Sequence, residues 1–245
     1  MKTLEDKVAV VTGGGTGIGK AIASKLVALG ATVVVTGRRE AVLQTAVQDL
    51  GSDASYIVND AAADGATKAL AEAVIDRHGR IDIVVNNAGQ GLSGPLVEAT
   101  DEDIDGNFAV NATAPLKLAR DVLPHLIASK GALLFVSSAL TNGAAPGTSV
   151  YAAAKAAIDR ATRVLAAEYG SAGVRVNALA PGYTETDMTE GMREDPATHN
   201  QFVAMTPMGR IGEPRDIADA AALLLQPDAA WVTGQVVQAS GGLLI

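Results

Sequence analysis

Three residues in the second half of the chain carry side chains that can move a proton. Tyr151 and Lys155 stand four apart in Tyr151-Ala-Ala-Ala-Lys155. Alanines between them favour a helix, and the i,i+4 spacing places both on one helix face. An ammonium beside a phenol favours the phenolate and draws its pKa down from about 10. Such a phenol can give a proton to a carbonyl oxygen or take one from an alcohol. Ser138 ends the apolar run Phe135-Val136-Ser137-Ser138, and its hydroxyl can bond the same oxygen. By itself, the pair also suits an amphipathic helix with a surface Tyr and Lys, so the surrounding elements decide.

Those elements begin with Val8 to Val11, a short β-branched run that reads as a strand buried on both faces. Gly13, Gly14, Gly15, Gly17 and Gly19 follow, and Ile18, Ala21, Ile22 and Leu26 then recur at helical spacing. Strand, glycine turn and helix make a phosphate cradle. Glycines let the backbone approach a ligand, and a helix start offers free N–H groups with partial positive charge. Thr12-Gly13-x-x-x-Gly17-x-Gly19 is a relative of the dinucleotide fingerprint.

Further strand-like runs lie at Thr32–Thr36, Ser55–Val58, Ile81–Val85, Ala132–Val136, Val174–Leu179 and Val236–Gln238. Helical patterns fill about 18–29, 39–50, 64–78, 101–129, 150–170 and 214–226. This alternation predicts an α/β fold: a doubly wound, seven-stranded parallel sheet with helices on both faces and the ligand at the C-terminal strand edge. No Pro- or Ser-rich linker divides the 245 residues, so a single domain over 1–245 is expected. A net charge of -8 argues against nucleic acid and anionic membrane surfaces. The chain has no cysteine, and its three histidines show no metal-like spacing, so no metal site is expected. No apolar run approaches the ~20 residues of a membrane span, and a soluble, cytoplasmic protein is the expectation.

The second strand ends in Thr36-Gly37-Arg38-Arg39. Many dinucleotide folds place an acid there to bind ribose hydroxyls; two guanidiniums suit a 2′-phosphate instead. Asp60 and Ala61 follow the third strand, where a side chain can meet an adenine amino group. Asn86-Asn87-Ala88-Gly89 follows the fourth, where paired Asn side chains can tie loops together.

Taken jointly, these motifs resemble the short-chain dehydrogenase/reductase family over about Lys7 to Gly242. Thr12-Gly-x-x-x-Gly17-x-Gly19, Asn86-Asn-Ala-Gly89, Asn111, Ser138, Tyr151-x-x-x-Lys155 and Pro181-Gly182 stand in the family's order and spacing. Val176-Asn-Ala-Leu-Ala-Pro-Gly182 and Gly209-Arg-Ile-Gly-Glu-Pro214 are similar to bacterial 3-oxoacyl-carrier-protein reductases and related carbonyl reductases.

The resemblance implies a Rossmann fold and an NADPH-dependent, reversible reduction of a ketone or 3-oxo group to a secondary alcohol. The alternatives are an NAD(H)-dependent alcohol dehydrogenase and a non-catalytic NADP(H) sensor. It implies Tyr151 as general acid/base, with Lys155 lowering its pKa and holding the nicotinamide ribose. Ser138 would polarise the carbonyl, and Asn111 would hold a water that links Lys155 to solvent. Gly13, Thr16, Gly17 and Ile18 would line the pyrophosphate. Arg38 and Arg39 would take the 2′-phosphate, Asp60 and Ala61 the adenine, and Asn87, Ala88 and Gly89 the adenosine side. Pro181, Gly182, Thr184 and Thr186 would fix the nicotinamide. A substrate lid is implied at about 187–208, as is a homotetramer assembled through the helices at 101–129 and 150–170, where Ala152, Ala153, Ala156 and Ala157 permit close approach. Relatives often add a basic residue to the glycine loop; Gly14-Gly15-Thr16 has none, so cofactor choice rests on Arg38 and Arg39.

Overall fold

A computed structural model describes residues 3–244. Its strands are β1 (Val8–Thr12), β2 (Thr32–Gly37), β3 (Ala54–Val58), β4 (Ile83–Asn86), β5 (Ala132–Val136), β6 (Arg175–Pro181) and β7 (Val236–Ala239). They form one parallel sheet in the order β3-β2-β1-β4-β5-β6-β7. All seven expected runs are strands, displaced by no more than two residues at either end.

The helices are α1 (Gly17–Ala28), α2 (Glu40–Leu50), α3 (Ala66–His78), α4 (Asp101–Phe108), α5 (Ala114–Ser129), α6 (Ser149–Tyr169), α7 (Glu190–Glu194), α8 (Pro196–Met205) and α9 (Pro214–Leu225). Successive strand residues point to opposite faces, so each central strand feeds two cores. Ala9, Val11, Val33, Val35 and Leu134 pack under Ile22 and Leu26 of α1, Leu43 of α2, and Ile217 and Ala221 of α9. Val10, Val34, Val84, Leu133 and Phe135 pack under Leu70 and Val74 of α3, Leu118 and Val122 of α5, and Ile158 of α6. Each fully buried Leu, Ile, Val or Phe contributes roughly 1.5–3 kcal/mol, so the sheet centre is the rigid floor on which the site stands.

The pattern at 101–129 is not one continuous α-helix. Between α4 and α5 the chain makes a π-helical turn at Ala109–Thr113, where the Ala114 N–H reaches back to the Ala109 carbonyl. Pro115 lies in the first turn of α5 and has no N–H to close an α-type bond onto the Asn111 carbonyl. One extra residue per turn at this point rotates α4 relative to α5 and puts Asn111 at the bulge. Periodicity over 29 positions is insensitive to a single inserted residue. The 187–208 segment, implied as a substrate lid with no helix assigned to it, forms α7 and α8 after a 3-10 turn at Asp187–Thr189.

β1 pairs with β2 on one side and β4 on the other. The order of connection reverses there, which opens a crevice beyond the C-terminal ends of the two strands. The turns after β1 and β4 form its walls.

Candidate active site

The glycine turn is shaped by close packing against its neighbours. Thr12 sends its Oγ1 to the N–H groups of Asn87 and Ala88, both at 3.0 Å. The Asn87 side chain returns Nδ2 to the Thr12 carbonyl at 2.9 Å and the Gly13 carbonyl at 3.2 Å. Gly13 and Gly17 lie at positive φ, 62° and 51°, a region that glycine enters without penalty. A Cβ on Gly19 would overlap the Gly13 carbonyl and the Asn87 amide, and one on Gly14 would come within 2.7 Å of Val35. Helix α1 begins here with Thr16 as N-cap, and no side chain caps it. Its first N–H groups and dipole are therefore available to an anion.

At the end of β2, Arg38 and Arg39 are exposed. Neither makes a side-chain hydrogen bond or ion pair among the described residues. Asp60 is exposed after β3 and accepts from the Ala62 N–H at 3.2 Å, with Ala61 half-buried beside it. Across the crevice, Pro181 ends β6, and Gly182 is pressed so closely on Ser240 that a Cβ would lie 2.7 Å from it. Thr184 is buried and bonds the Gly182 carbonyl at 2.9 Å. The Thr186 methyl would stand 3.2 Å from a Cβ on Gly17, so Thr186 overhangs the start of α1, near Thr16 and Ile18.

Ser138, Tyr151, Lys155, Asn111 and Gly89 converge at the adjoining strand ends. Ser138 follows β5, is buried, and its hydroxyl accepts from the Leu140 N–H at 3.3 Å. Tyr151 and Lys155 lie on α6, one turn apart, with the Lys155 Nζ 5.8 Å from the Tyr151 ring centroid. A Cβ on Gly89 would meet the Asn111 Oδ1 at 3.0 Å and the Lys155 Nζ at 3.3 Å, so only glycine leaves this point clear. Asn111 is fully buried, accepts from the Gln90 N–H at 3.1 Å, and donates to the Gln90 carbonyl at 2.8 Å and Asn107 Oδ1 at 3.1 Å.

The electrostatics differ from the expectation of a phenol acidified by its lysine. Lys155 gives its ammonium to the Val136 carbonyl at 2.8 Å. Burial lowers its own pKa to about 8, with buried Asp159 one turn further along α6 opposing that shift. Burial raises the Tyr151 phenol above its ordinary value, and only the nearby Ser138 hydroxyl pulls the other way. In the protein alone, desolvation dominates, and the backbone carbonyl rather than the phenol holds the cation.

The family model described as enoyl-(acyl carrier protein) reductase matches residues 13–244. The chain is 36% identical over 241 residues to the 3-oxoacyl-acyl-carrier-protein reductase of Vibrio cholerae, covering 98% of each chain. The short-chain dehydrogenase/reductase signature of the sequence, the sheet order and these matches agree. The chain belongs to the short-chain dehydrogenase/reductase family. It is an oxidoreductase of that family. The 3-ketoacyl-acyl-carrier-protein reductase of Brucella melitensis, solved with NADH, superposes with a TM-score of 0.92 at 31% identity, over 99% of this chain and all of that one. A structure from Beutenbergia cavernae with bound NADP superposes at 0.93 with 34% identity, over 99% and 98%.

Some site residues escaped the sequence reading. Asn107 orients Asn111, and Asn107 Nδ2 also reaches the Gln90 carbonyl at 3.2 Å. Their i,i+4 spacing was the available signal, hidden by the π turn that follows. Asp159 is i+4 from Lys155 on the buried face. Thr12, which the family motif includes only as its first letter, is the hinge between two walls of the crevice. Around the paired hydroxyls, three further segments are joined to one another. The loop after β4 bonds the loop after β5 through Gly94 N–H to the Gly147 carbonyl at 2.9 Å. Met188 packs against Gly91, and Leu244 against Gly143.

Proposed function

We propose that this enzyme is an NADPH-dependent reductase that converts a ketone or 3-oxo group to a secondary alcohol, reversibly. The observation that carries the reading is the convergence of Ser138, Tyr151 and Lys155 beside a glycine cradle whose helix start is uncapped. The cradle fits a dinucleotide: the start of α1 is uncapped, and Gly13 and Gly17 turn the backbone around it at positive φ without a side chain in the way. Gly13, Thr16, Gly17 and Ile18 would hold the pyrophosphate, and Arg38 and Arg39 the 2′-phosphate. Asp60, Ala61, Asn87, Ala88 and Gly89 would hold the adenosine side, and Pro181, Gly182, Thr184 and Thr186 the nicotinamide. NADPH, when bound, supplies the hydride.

The chain's own task is to place the carbonyl and supply a proton. Ser138 donates to the carbonyl oxygen and fixes its position. Tyr151 gives its phenolic proton to that oxygen as negative charge builds there. Lys155, its ammonium 5.8 Å from the Tyr151 ring centroid, favours the resulting phenolate. Asn111 holds a water at the π turn through which the proton is replaced. The helices at 187–208 act as the lid: Tyr183 stacks on Phe202 at 4.2 Å and fastens α8 to the end of β6, while Met188 and Met192 stay exposed. The direct test is NADPH oxidation followed at the nicotinamide band with a panel of ketones and 3-oxoacyl thioesters. No oxidation with any carbonyl would refute the reading.

The reading includes a homotetramer. On the outer face of α5 and α6, an apolar groove is lined by Leu116, Leu123, Pro124, Ile127, Leu165 and Tyr169. Ala153, Ala156 and Ala157 stand exposed on α6, small enough for a second copy to approach. Light scattering at micromolar concentration tests it, and a monomer mass would contradict it. Among the described residues, no helix is long and apolar enough to cross a membrane.

A further inference from the structure

The walls around the paired hydroxyls are almost without cations. The loop after β4 (90–98), the loop after β5 (139–148) and the C-terminal stretch (236–244) contain no Lys, Arg or His. They are locked together by the Gly94–Gly147 bond, the Leu244–Gly143 contact and the bond from Asn142 Nδ2 to Gln238 Oε1 at 2.8 Å. The remaining wall, 183–208, has one guanidinium, Arg193, already held by Glu185 Oε1 at 3.1 Å and by the Thr186 carbonyl at 3.3 Å.

Charge is also unevenly spread. The chain has 19 Lys and Arg against 27 Asp and Glu. Segments 91–108 and 183–208 hold ten of the acids, all exposed, and one of the cations, which leaves 18 cations against 17 acids elsewhere. The two segments meet where Met188 packs on Gly91, so these ten exposed acids belong to the stretches that border the loop after β4 and the lid, while Arg38 and Arg39 follow β2. Exposed Leu96, Val97, Met188 and Met192 add apolar surface to the same rim.

We infer that the site selects uncharged carbonyl compounds with apolar substituents and disfavours substrates bearing a carboxylate or phosphate. This rests on the reductase reading and specifies its substrate class. A carboxylate entering here would find the two nearby cations already engaged, Lys155 by the Val136 carbonyl and Arg193 by Glu185, and little to replace its lost water, while the rim's field would repel it over the ~10 Å that 0.1 M salt allows. An uncharged 3-oxo ester meets neither obstacle and gains from the apolar rim.

The test compares matched pairs at saturating NADPH: ethyl 3-oxobutanoate against 3-oxobutanoate, and a short uncharged 3-oxobutanoyl thioester against its coenzyme A thioester. The uncharged member of each pair should show a kcat/KM about tenfold or more higher at low ionic strength. Added salt should narrow the gap by raising the anion's value. Met192→Arg, which puts a guanidinium on the exposed lid face, should raise the ratio of kcat/KM for 3-oxobutanoate to that for the ester several-fold, and added salt should shrink that rise. Equal values at low salt, or a preference for the anions that salt weakens, would overturn the inference and leave the reductase reading standing. Turnover of neither series would overturn both.

Discussion

Gly19→Ala separates what local propensity implies from what packing implies. Gly19 is the third residue of α1 and lies at no unusual φ. Propensity alone therefore credits alanine with about 1 kcal/mol over glycine. Against that, the new methyl overlaps the Gly13 carbonyl and the Asn87 Nδ2. Overpacking costs about 1–3 kcal/mol. The displaced Asn87 also weakens two hydrogen bonds, to Thr12 and Gly13, at about 0.5–1.5 kcal/mol each. The clash dominates, and the net loss is about 1–5 kcal/mol. Because the moved atoms are the phosphate cradle itself, NADPH affinity should fall about tenfold or more, since each 1.4 kcal/mol is a factor of ten. Gly106→Ala is the control: it lies in α4 with nothing within 4 Å of its added Cβ, and it should gain about 0.5–1 kcal/mol. Urea unfolding followed by circular dichroism reads stability, and the fluorescence of bound NADPH reads affinity. A Gly19→Ala protein as stable as wild type, with unchanged NADPH affinity, would show that the turn is not packed as described.

Tyr151→Phe keeps the ring and removes the proton; turnover should drop by about 10²-fold or more while NADPH still binds, and near-normal turnover with chemistry rate-limiting would remove Tyr151 from its role. Lys155 has a pKa of about 8 in the fold against 10.5 ordinarily. Between those values the unfolded chain holds a proton that the folded one does not, so folding stability relative to Lys155→Met should rise from pH 8 to 10.5 and stay flat below; a difference that does not vary with pH in paired urea titrations would contradict the burial effect. NADPH should bind over NADH by roughly ten- to a hundredfold through guanidinium contacts of about 1.5–3 kcal/mol. Gly37→Asp with Arg38→Leu should invert that order in titrations at fixed ionic strength, and equal wild-type affinities would show Arg38 and Arg39 to be solvated only.

Legible in the sequence were features set within a few neighbouring residues. The β-branched runs, the glycines between β1 and α1, the Tyr151–Lys155 spacing and the Arg38-Arg39 pair each carry their own local reason, and the seven strands follow from them. The tertiary structure decided what depends on atoms far apart in the chain. Thr12 grips Asn87 and Ala88 across 75 and 76 positions, a pairing that no periodicity encodes. Asn111 sits at a π turn that a helical pattern conceals, although Pro115 marks the missing N–H. The Tyr151 phenol is raised, not lowered, because burial strips the phenolate of water, and desolvation is a property of the folded interior that residue spacing does not contain; Lys155 meanwhile gives its ammonium to the Val136 carbonyl on β5. The charge partition has the same origin: the sequence counts the acids, and the fold brings their two segments together where Met188 packs on Gly91.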